Sequence, residues 1–394
     1  MADSGAAEDD RPAWAALETL VERFDAGIFD VGRRRARIHV ESGDEPIGDV
    51  LIEYGQARLI PADGKRPDAV LSADAEVWAS AGRVGGLSAF RAGDIRIRRD
   101  LHLGVGFLAA TAPTGALSGL RIHHVRTAIG RTSVAEAGRG DPVILIHGLG
   151  ATKASFLPTV GALARTHRAI AIDLPGFGDS VKPIGAAYDA AFFAGAVTAL
   201  LDALEIERAH LVGNSMGGRV AIETGLLHPD RVDRLALLAP SLAWLRSRPW
   251  APLLRIVPTE LGLIQPAPRA VVERIVRRVI PAGQDQWTGA GIDEFLRAYL
   301  TPRGRAAFYA AARNIYLEAP HGPNGFWTRL GDLQAPSLFV WGRRDTLVPI
   351  GFARHVREVL PGAEHLELDC GHVPQLERPR EAHAEVVRFL SAAQ

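Results

Sequence analysis

From residue 143 onward the chain alternates short apolar runs with longer stretches of helical periodicity. Val143-Ile144-Leu145-Ile146 and Ala169-Ile170-Ala171-Ile172 are unbroken by polar residues, as strands covered on both faces must be. Leu211-Val212, Leu235-Ala236-Leu237-Leu238 and Leu338-Phe339-Val340-Trp341 repeat the pattern. Between and after them, helices are predicted over residues 190–204, 216–227 and 380–390. This order predicts an α/β fold, with a mainly parallel, doubly wound sheet covered by helices on both faces.

The alternation breaks between about residues 241 and 332, a stretch rich in arginine, proline and apolar residues. An insertion between two parallel strands belongs over their carboxyl ends, so this segment is read as a helical cap. Val271, Val272, Ile275, Val276, Val279 and Ile280 make an apolar stripe at helical spacing, opposite Arg274, Arg277 and Arg278. The stripe is either the cap's own core or the lining of an apolar substrate cleft.

Residues 14–110 have a different character. A helix is expected over 13–28. The alternating segments 35–40 and 94–98 read as half-buried strands, so this part is expected to form a smaller α+β domain. The small, turn-rich stretch 111–119 separates it, as a linker, from the α/β domain at 120–394. Two domains also suit a length of 394 residues.

Composition narrows the functional classes. Formal net charge is zero, so no global field favours nucleic acid or an anionic membrane. Of the 45 basic residues only Lys65, Lys153 and Lys182 are lysines, a bias read as genomic rather than functional. The single cysteine, Cys370, excludes an internal disulfide and is expected to be a buried small residue rather than a reactive thiol. The acidic first ten residues lack the pattern of a secretory signal, and no apolar run is long enough to span a bilayer. A cytoplasmic protein is the expectation.

Four separated motifs carry the chemistry. Gly213-Asn214-Ser215-Met216-Gly217 lies between a strand and a helix, and G-x-S-x-G in that setting is a nucleophile elbow. A serine hydroxyl needs a base to take its proton as it attacks. His372, in Asp369-Cys370-Gly371-His372-Val373-Pro374 after a strand-like segment, is the candidate. Asp345, just past the strand at 338–341, is the carboxylate that would orient the histidine. The order Ser215, Asp345, His372 is the one this architecture uses. His147-Gly148-Leu149-Gly150 supplies the oxyanion loop, with the backbone N–H groups of Leu149 and Met216 as donors and His147 as a structural hydrogen-bonder. The turn from Asp173 to Ser180 is read as scaffold, with Phe177 a candidate for the pocket wall. The thirteen histidines show no H-E-x-x-H spacing, and no G-x-G-x-x-G opens a helix after a strand. Neither a metal nor a nucleotide cofactor is expected.

With these motifs in order, residues from about 120 to the end resemble the α/β-hydrolase fold family. The resemblance implies acyl-enzyme chemistry, in which Ser215 attacks a carbonyl, His372 carries the proton and water releases the acid. Dehalogenases and epoxide hydrolases of this fold use aspartate where Ser215 stands. Gly213-Asn214-Ser215-Met216-Gly217-Gly218 also resembles the carbon–carbon bond hydrolases of aromatic ring-fission products. Those usually carry proline in the oxyanion loop, at the place of Ala151. A serine esterase or lipase-like hydrolase of an apolar acyl compound is the first expectation. A carbon–carbon hydrolase with the same triad is the second, and a lipid-binding protein on a hydrolase scaffold the third.

The N-terminal part is similar to the sterol-carrier-protein type 2 family. The similarity runs through Pro67-Asp68-Ala69-Val70-Leu71-Ser72-Ala73-Asp74, Gly82-Arg83-Val84-Gly85-Gly86-Leu87 and residues 93–101. It implies a twisted sheet with helices around an apolar tunnel that holds lipid. Such a domain would present an apolar ligand to the hydrolase, or serve as a scaffold or dimerisation module. The chemistry implies a hydrophobic or lipid-like substrate and no nucleic acid. The leaving group, hydrolysis against acyl transfer, and the oligomeric state are not readable from these residues.

Overall fold

The computed structural model describes residues 11–31, 35–92, 94–113, 119–243, 258, 261–264, 268–279 and 286–392. The chain forms two compact units, Met1–His123 with Ala270–Arg297, and His124–Arg269 with Ala298–Gln394. The segment read as a cap carries helices among its described residues, and its middle falls in the first unit.

In the second unit the apolar runs are strands. β6 (Arg121–Thr127), β7 (Gly130–Ala137), β8 (Pro142–Ile146), β9 (Arg168–Ile172), β10 (Ala209–Asn214), β11 (Val232–Leu238), β12 (Ser337–Gly342) and β13 (Glu364–Leu368) form one sheet. Its order is β13-β12-β11-β10-β8-β9-β7-β6. β8 to β13 pair in parallel, and β7 runs antiparallel to β9. Val143, Ile144, Leu145 and Ile146 are fully buried, as are Leu211, Val212, Leu235 and Leu338. Each such side chain contributes about 2 kcal/mol on burial, so the strands with no polar face are the ones with helices on both sides.

The helices around this sheet are α5 (Leu157–Leu163), α6 (Ala190–Ala203), α7 (Met216–Leu227), α13 (Phe352–Val359), α14 (Pro374–Glu377) and α15 (Pro379–Leu390). Asp189 caps α6 by accepting from Phe192 N at 2.8 Å. Of the segment between β11 and β12, the second unit holds α8 (Leu261–Ile264), α11 (Pro302–Tyr316) and α12 (Phe326–Leu330). α9 (Arg269–Val279) and α10 (Gln286–Tyr299) fall almost wholly in the first. On α9, Val271 is exposed and Val272 half-buried. The side chains of Ile275, Val276, Val279 and Ile280, and of Arg277 and Arg278, lie outside the described residues.

The first unit carries a five-stranded sheet of order β3-β2-β1-β4-β5. Its strands are β1 (Arg35–Ser42), β2 (Glu45–Glu53), β3 (Gln56–Ile60), β4 (Ala69–Ala73) and β5 (Arg96–Arg98). Tyr54 and Gly55, at φ 51° and 78°, make the two-residue turn between β2 and β3. The expected alternation in β1 holds on one face, where Ala36, Ile38 and Val40 are buried. On the other face Arg37 is also buried, paired with Asp49 and Asp63. The expected helix at 13–28 is α1 (Arg11–Glu22), which stops short, and the chain turns at 23–28 through Phe24 N to Val21 O and Ile28 N to Asp25 O. The expected strand at 94–98 shortens to β5. Asp94 and Ile95 instead donate to Ala89 O, closing the end of α3 (Leu87–Ala92).

Two further helices belong to this unit, α2 (Ala75–Val84) and α4 (Leu101–Ala110). Every residue of α4 is buried. Its two glycines leave no room on the helix, because a Cβ on Gly104 would lie 2.5 Å from Ile97 and one on Gly106 2.4 Å from Phe29. Residues 114–118 of the expected linker lie outside the described residues. Among the described residues, no helix is long and apolar enough to cross a membrane.

Candidate active site

The residues predicted to react stand just beyond the carboxyl ends of parallel strands. Ser215 follows β10, Asp345 follows β12, and His372 follows β13. Ser215 has φ 54° and ψ −118°, a strained conformation for a residue with a side chain. It survives because its surroundings over-determine it. Ser215 N donates to Leu238 O at 3.0 Å, while its own carbonyl accepts from Arg219 N and Ser241 N.

The glycines of the elbow are steric requirements. A Cβ on Gly213 would stand 2.3 Å from Gly217 O, one on Gly217 2.0 Å from Ile146 O, and one on Gly218 2.7 Å from Pro240. All are far inside van der Waals contact, so β8, β10 and the turn after β11 close on α7 without a methyl group to spare. Strand and helix therefore meet at an angle that lifts the serine.

His372 Nε2 lies 2.8 Å from Ser215 Oγ, and His372 Nδ1 lies 2.7 Å from Asp345 Oδ2. The other Asp345 oxygen accepts from Leu347 N at 2.8 Å and Val348 N at 2.9 Å. With that carboxylate acting only as an acceptor, Nδ1 carries the imidazole proton and Nε2 is left to accept from the serine. The Asp345 side chain is fully buried and the His372 side chain 19% exposed, so the pair is shielded while the ring remains accessible.

The sequence reading missed what holds the histidine loop. Asn214 Nδ2 donates to His372 O at 3.1 Å and to Leu238 O at 2.9 Å. Glu377 accepts from Gly371 N at 2.7 Å and Val373 N at 3.0 Å, spanning the loop with one carboxylate. The signal for Glu377 lay only in its place five residues after the histidine. Gly342 brings the loop against β12, since a Cβ there would sit 2.0 Å from Gly371 O. Cys370 is buried, and burial pushes its thiol up to about 12.

The loop predicted to supply the oxyanion donors follows β8. Ala151 N to Gly148 O closes a turn with Gly150 at φ 76°, a conformation that favours glycine. A Cβ on Gly148 would lie 3.2 Å from Ser215 Cβ, a tight contact to which the Ser215 side chain would have to yield by a few tenths of an ångström. Leu149 is half-buried on this loop, and Met216 is the buried first residue of α7. Among the described residues, neither backbone N–H donates to a protein acceptor.

His147 is fully buried, with Nδ1 2.7 Å from Gly148 O and Nε2 accepting from Leu174 N at 3.0 Å. Both ring nitrogens are used and burial lowers its pKa, so it is a neutral brace. Phe177 is buried and meets His147 edge-on at 5.5 Å. Below it Lys153 and Asp173 form a buried pair at 2.7 Å. Burial is the largest influence and works to raise the Asp173 carboxyl, but the charge and hydrogen bond of Lys153 together with His147 bring it down to about 2.

A second buried cluster joins α7 to the segment before β12. Arg219 donates to both oxygens of Glu318 at 2.9 and 2.7 Å and pairs with Glu223 at 2.7 Å. Arg329 closes the ring on Glu223 and Glu318, and Phe326 lies under the Arg219 guanidinium at 4.8 Å. Nothing in the sequence pattern singled out this network.

Residues 141–379 match the α/β hydrolase fold family. The chain belongs to that family. It is a hydrolase, and the match leaves the N-terminal residues outside it. The chain is 30% identical over 263 residues to the 2-hydroxy-6-oxo-6-phenylhexa-2,4-dienoate hydrolase of Comamonas testosteroni, covering 65% of this chain and 89% of that one. Among solved structures it is similar to a membrane phospholipase A described as a bacterial virulence factor. That similarity has a TM-score of 0.58 and 29% identity, over 70% of this hydrolase and 86% of the other chain. It is also similar to the meta-cleavage product hydrolase from Pseudomonas fluorescens IP01. There the TM-score is 0.55 and the identity 26%, over 68% of this hydrolase and 97% of the other chain.

Proposed function

We propose that this hydrolase cleaves a carboxylic ester or related acyl compound with a hydrophobic moiety, through an acyl-enzyme on Ser215. The observation that carries the reading is the unbroken line Asp345–His372–Ser215, at 2.7 and 2.8 Å. Ser215 Oγ attacks the carbonyl carbon as its proton passes to His372 Nε2, and Asp345 stabilises the imidazolium that forms. The resulting oxyanion would lie against the N–H groups of Leu149 and Met216, each worth roughly 3 kcal/mol. His372 then gives its proton to the departing alkoxide, which leaves as the alcohol. Water enters, loses a proton to His372, attacks the acyl carbon and frees the acid together with the Ser215 hydroxyl.

A second reading is hydrolysis of a carbon–carbon bond in an aromatic ring-fission product. The relative from Comamonas testosteroni supports it, with 89% of its length aligned. Ala151 in place of the proline of that loop weighs against it. The phospholipase relative supports an apolar ester.

The N-terminal unit is proposed, more narrowly, as a holder of an apolar ligand. Its sheet with helices supports this, while the close packing of α4 on Ile97 and Phe29 weighs against a tunnel along that helix.

The test is hydrolysis of p-nitrophenyl esters of increasing acyl length by the wild type and by Ser215→Ala. Turnover that rises with chain length and vanishes in the variant is expected. Turnover of ring-fission products alone would install the second reading, and equal turnover by the variant would remove Ser215 from the chemistry.

A further inference from the structure

Ser241 was not among the residues the sequence singled out, yet its Oγ lies 3.2 Å from Ser215 Oγ. It is buried, at 3% exposure. Three features fix it there. Ser241 N donates to Ser215 O at 2.9 Å. The preceding Pro240 packs on Gly218 so closely that a Cβ on that glycine would be 2.7 Å away. Ala239, at φ 44°, takes the left-handed conformation that turns the chain from β11 back toward the nucleophile. Strained backbone on both sides of the contact, at Ser215 and at Ala239, marks a position that the fold specifies.

Proton counting gives the contact its direction. Ser215 has one hydroxyl proton, and His372 Nε2 at 2.8 Å is its acceptor because Nδ1 donates to Asp345. The hydrogen bond between the two serines is then one in which Ser241 O–H donates and Ser215 Oγ accepts. We propose that Ser241 is a catalytic residue, a hydrogen-bond donor to the nucleophile oxygen itself, separate from the oxyanion donors. Its place supports a separate role, since it follows β11 on one side of β10 while the oxyanion loop follows β8 on the other.

The consequence follows from how charge moves. As Ser215 loses its proton and attacks, its Oγ gains negative charge, and the bond from Ser241 strengthens. In the acyl-enzyme that oxygen is a weakly basic ester oxygen and the bond slackens. When water displaces it, Oγ regains charge and the bond strengthens again. Ser241 thus favours both transition states over the states between them, which is what raises turnover rather than binding. The inference rests on Ser215 being the nucleophile.

The experiment is the rate at which an alkyl fluorophosphonate labels Ser215 in the full-length protein, with kcat, KM and Tm measured on a p-nitrophenyl ester. Ser241→Ala is expected to label about tenfold more slowly, as suits loss of one neutral donor that sharpens in the transition state. Its kcat should fall alike, with KM and Tm unchanged. Ser241→Thr keeps the hydroxyl and should recover most of the rate. Labelling of Ser241→Ala at the wild-type rate would overturn the proposal. So would a loss shared by both variants and matched by a fall in Tm, which marks packing. A wild type that does not label at all refutes Ser215 as nucleophile, a different failure.

Discussion

The amide of Asn214 donates to the main-chain carbonyl of His372 at 3.1 Å, so the residue before Ser215, the proposed nucleophile, holds the loop that carries the proposed base. The same amide donates to Leu238 O, at the end of the neighbouring strand. The Ser215 elbow, the His372 loop and the sheet are therefore tied by one side chain. Asn214→Ala is expected to lower kcat between about 10- and 100-fold at nearly constant KM, the effect of a base displaced by a fraction of an ångström. Two lost hydrogen bonds, at about 1 kcal/mol each, should lower Tm by several degrees. Steady-state kinetics and a thermal melt check both, and a change in KM alone would contradict the assignment.

Two glycine-to-alanine substitutions should act in opposite directions. Gly217→Ala places a Cβ 2.0 Å from Ile146 O, with backbone on both sides and nothing to yield. A loss of about 3 kcal/mol or more is expected. Gly195→Ala in α6 meets nothing within 4 Å. Removing a helix-interior glycine there should stabilise by up to about 1 kcal/mol. Chemical denaturation of the two variants beside the wild type measures the contrast.

Acid should weaken the fold through its buried imidazoles. Burial holds His383 at about 4, below its ordinary 6.5, and it accepts or shares a proton with Thr159 Oγ1 at 3.0 Å. Burial also lowers His147 and His210. Because these folded-state values are depressed, the folded protein refuses protons that the unfolded chain binds. The His383 contribution is complete above pH 6.5 and is lost as pH falls toward about 4, and those of His147 and His210 are lost in the same direction. The denaturation midpoint should drop between neutral and mildly acidic buffer, and drop less in His383→Gln. An equal drop in both would clear His383 of the effect.

The thiol of Cys370 is buried, and its pKa is pushed up to about 12 by that burial with Glu377 and Asp345 nearby. Its sulfur should stay protonated and closed to reagent at mildly alkaline pH. Iodoacetamide is expected to leave ester turnover intact and to modify the cysteine only after denaturation. Mass spectrometry of the treated protein, with and without guanidinium, reads this directly.

Much of the second unit was legible because parallel strands buried on both faces can be written in only one way. Residues 143–146, 169–172, 235–238 and 338–341 all fall inside strands. The helix expected at 216–227 is α7, residue for residue. The first unit was harder. Glu45–Glu53 carries Pro46, Gly48 and Asp49, and its Asp49 is buried only because Arg37 and His39 meet it from β1. No local pattern announces a strand whose polar residues are paired across the sheet.

The sequence by itself determined the alternation of the buried parallel strands with helices from residue 143 onward, and proposed Ser215, Asp345 and His372 as the reacting residues. Buried strands demand apolar runs, and an elbow demands glycines. Tertiary structure alone decided which side chains brace those three. Asn214, Glu377 and Ser241 are ordinary polar residues in the sequence. They become parts of a site only because β10, β11 and β13 end at the same edge of one sheet. The physical reason is range: hydrophobic periodicity is a property of neighbours along the chain, whereas a hydrogen bond across 158 residues, like that from Asn214 to His372, exists only once the sheet has formed.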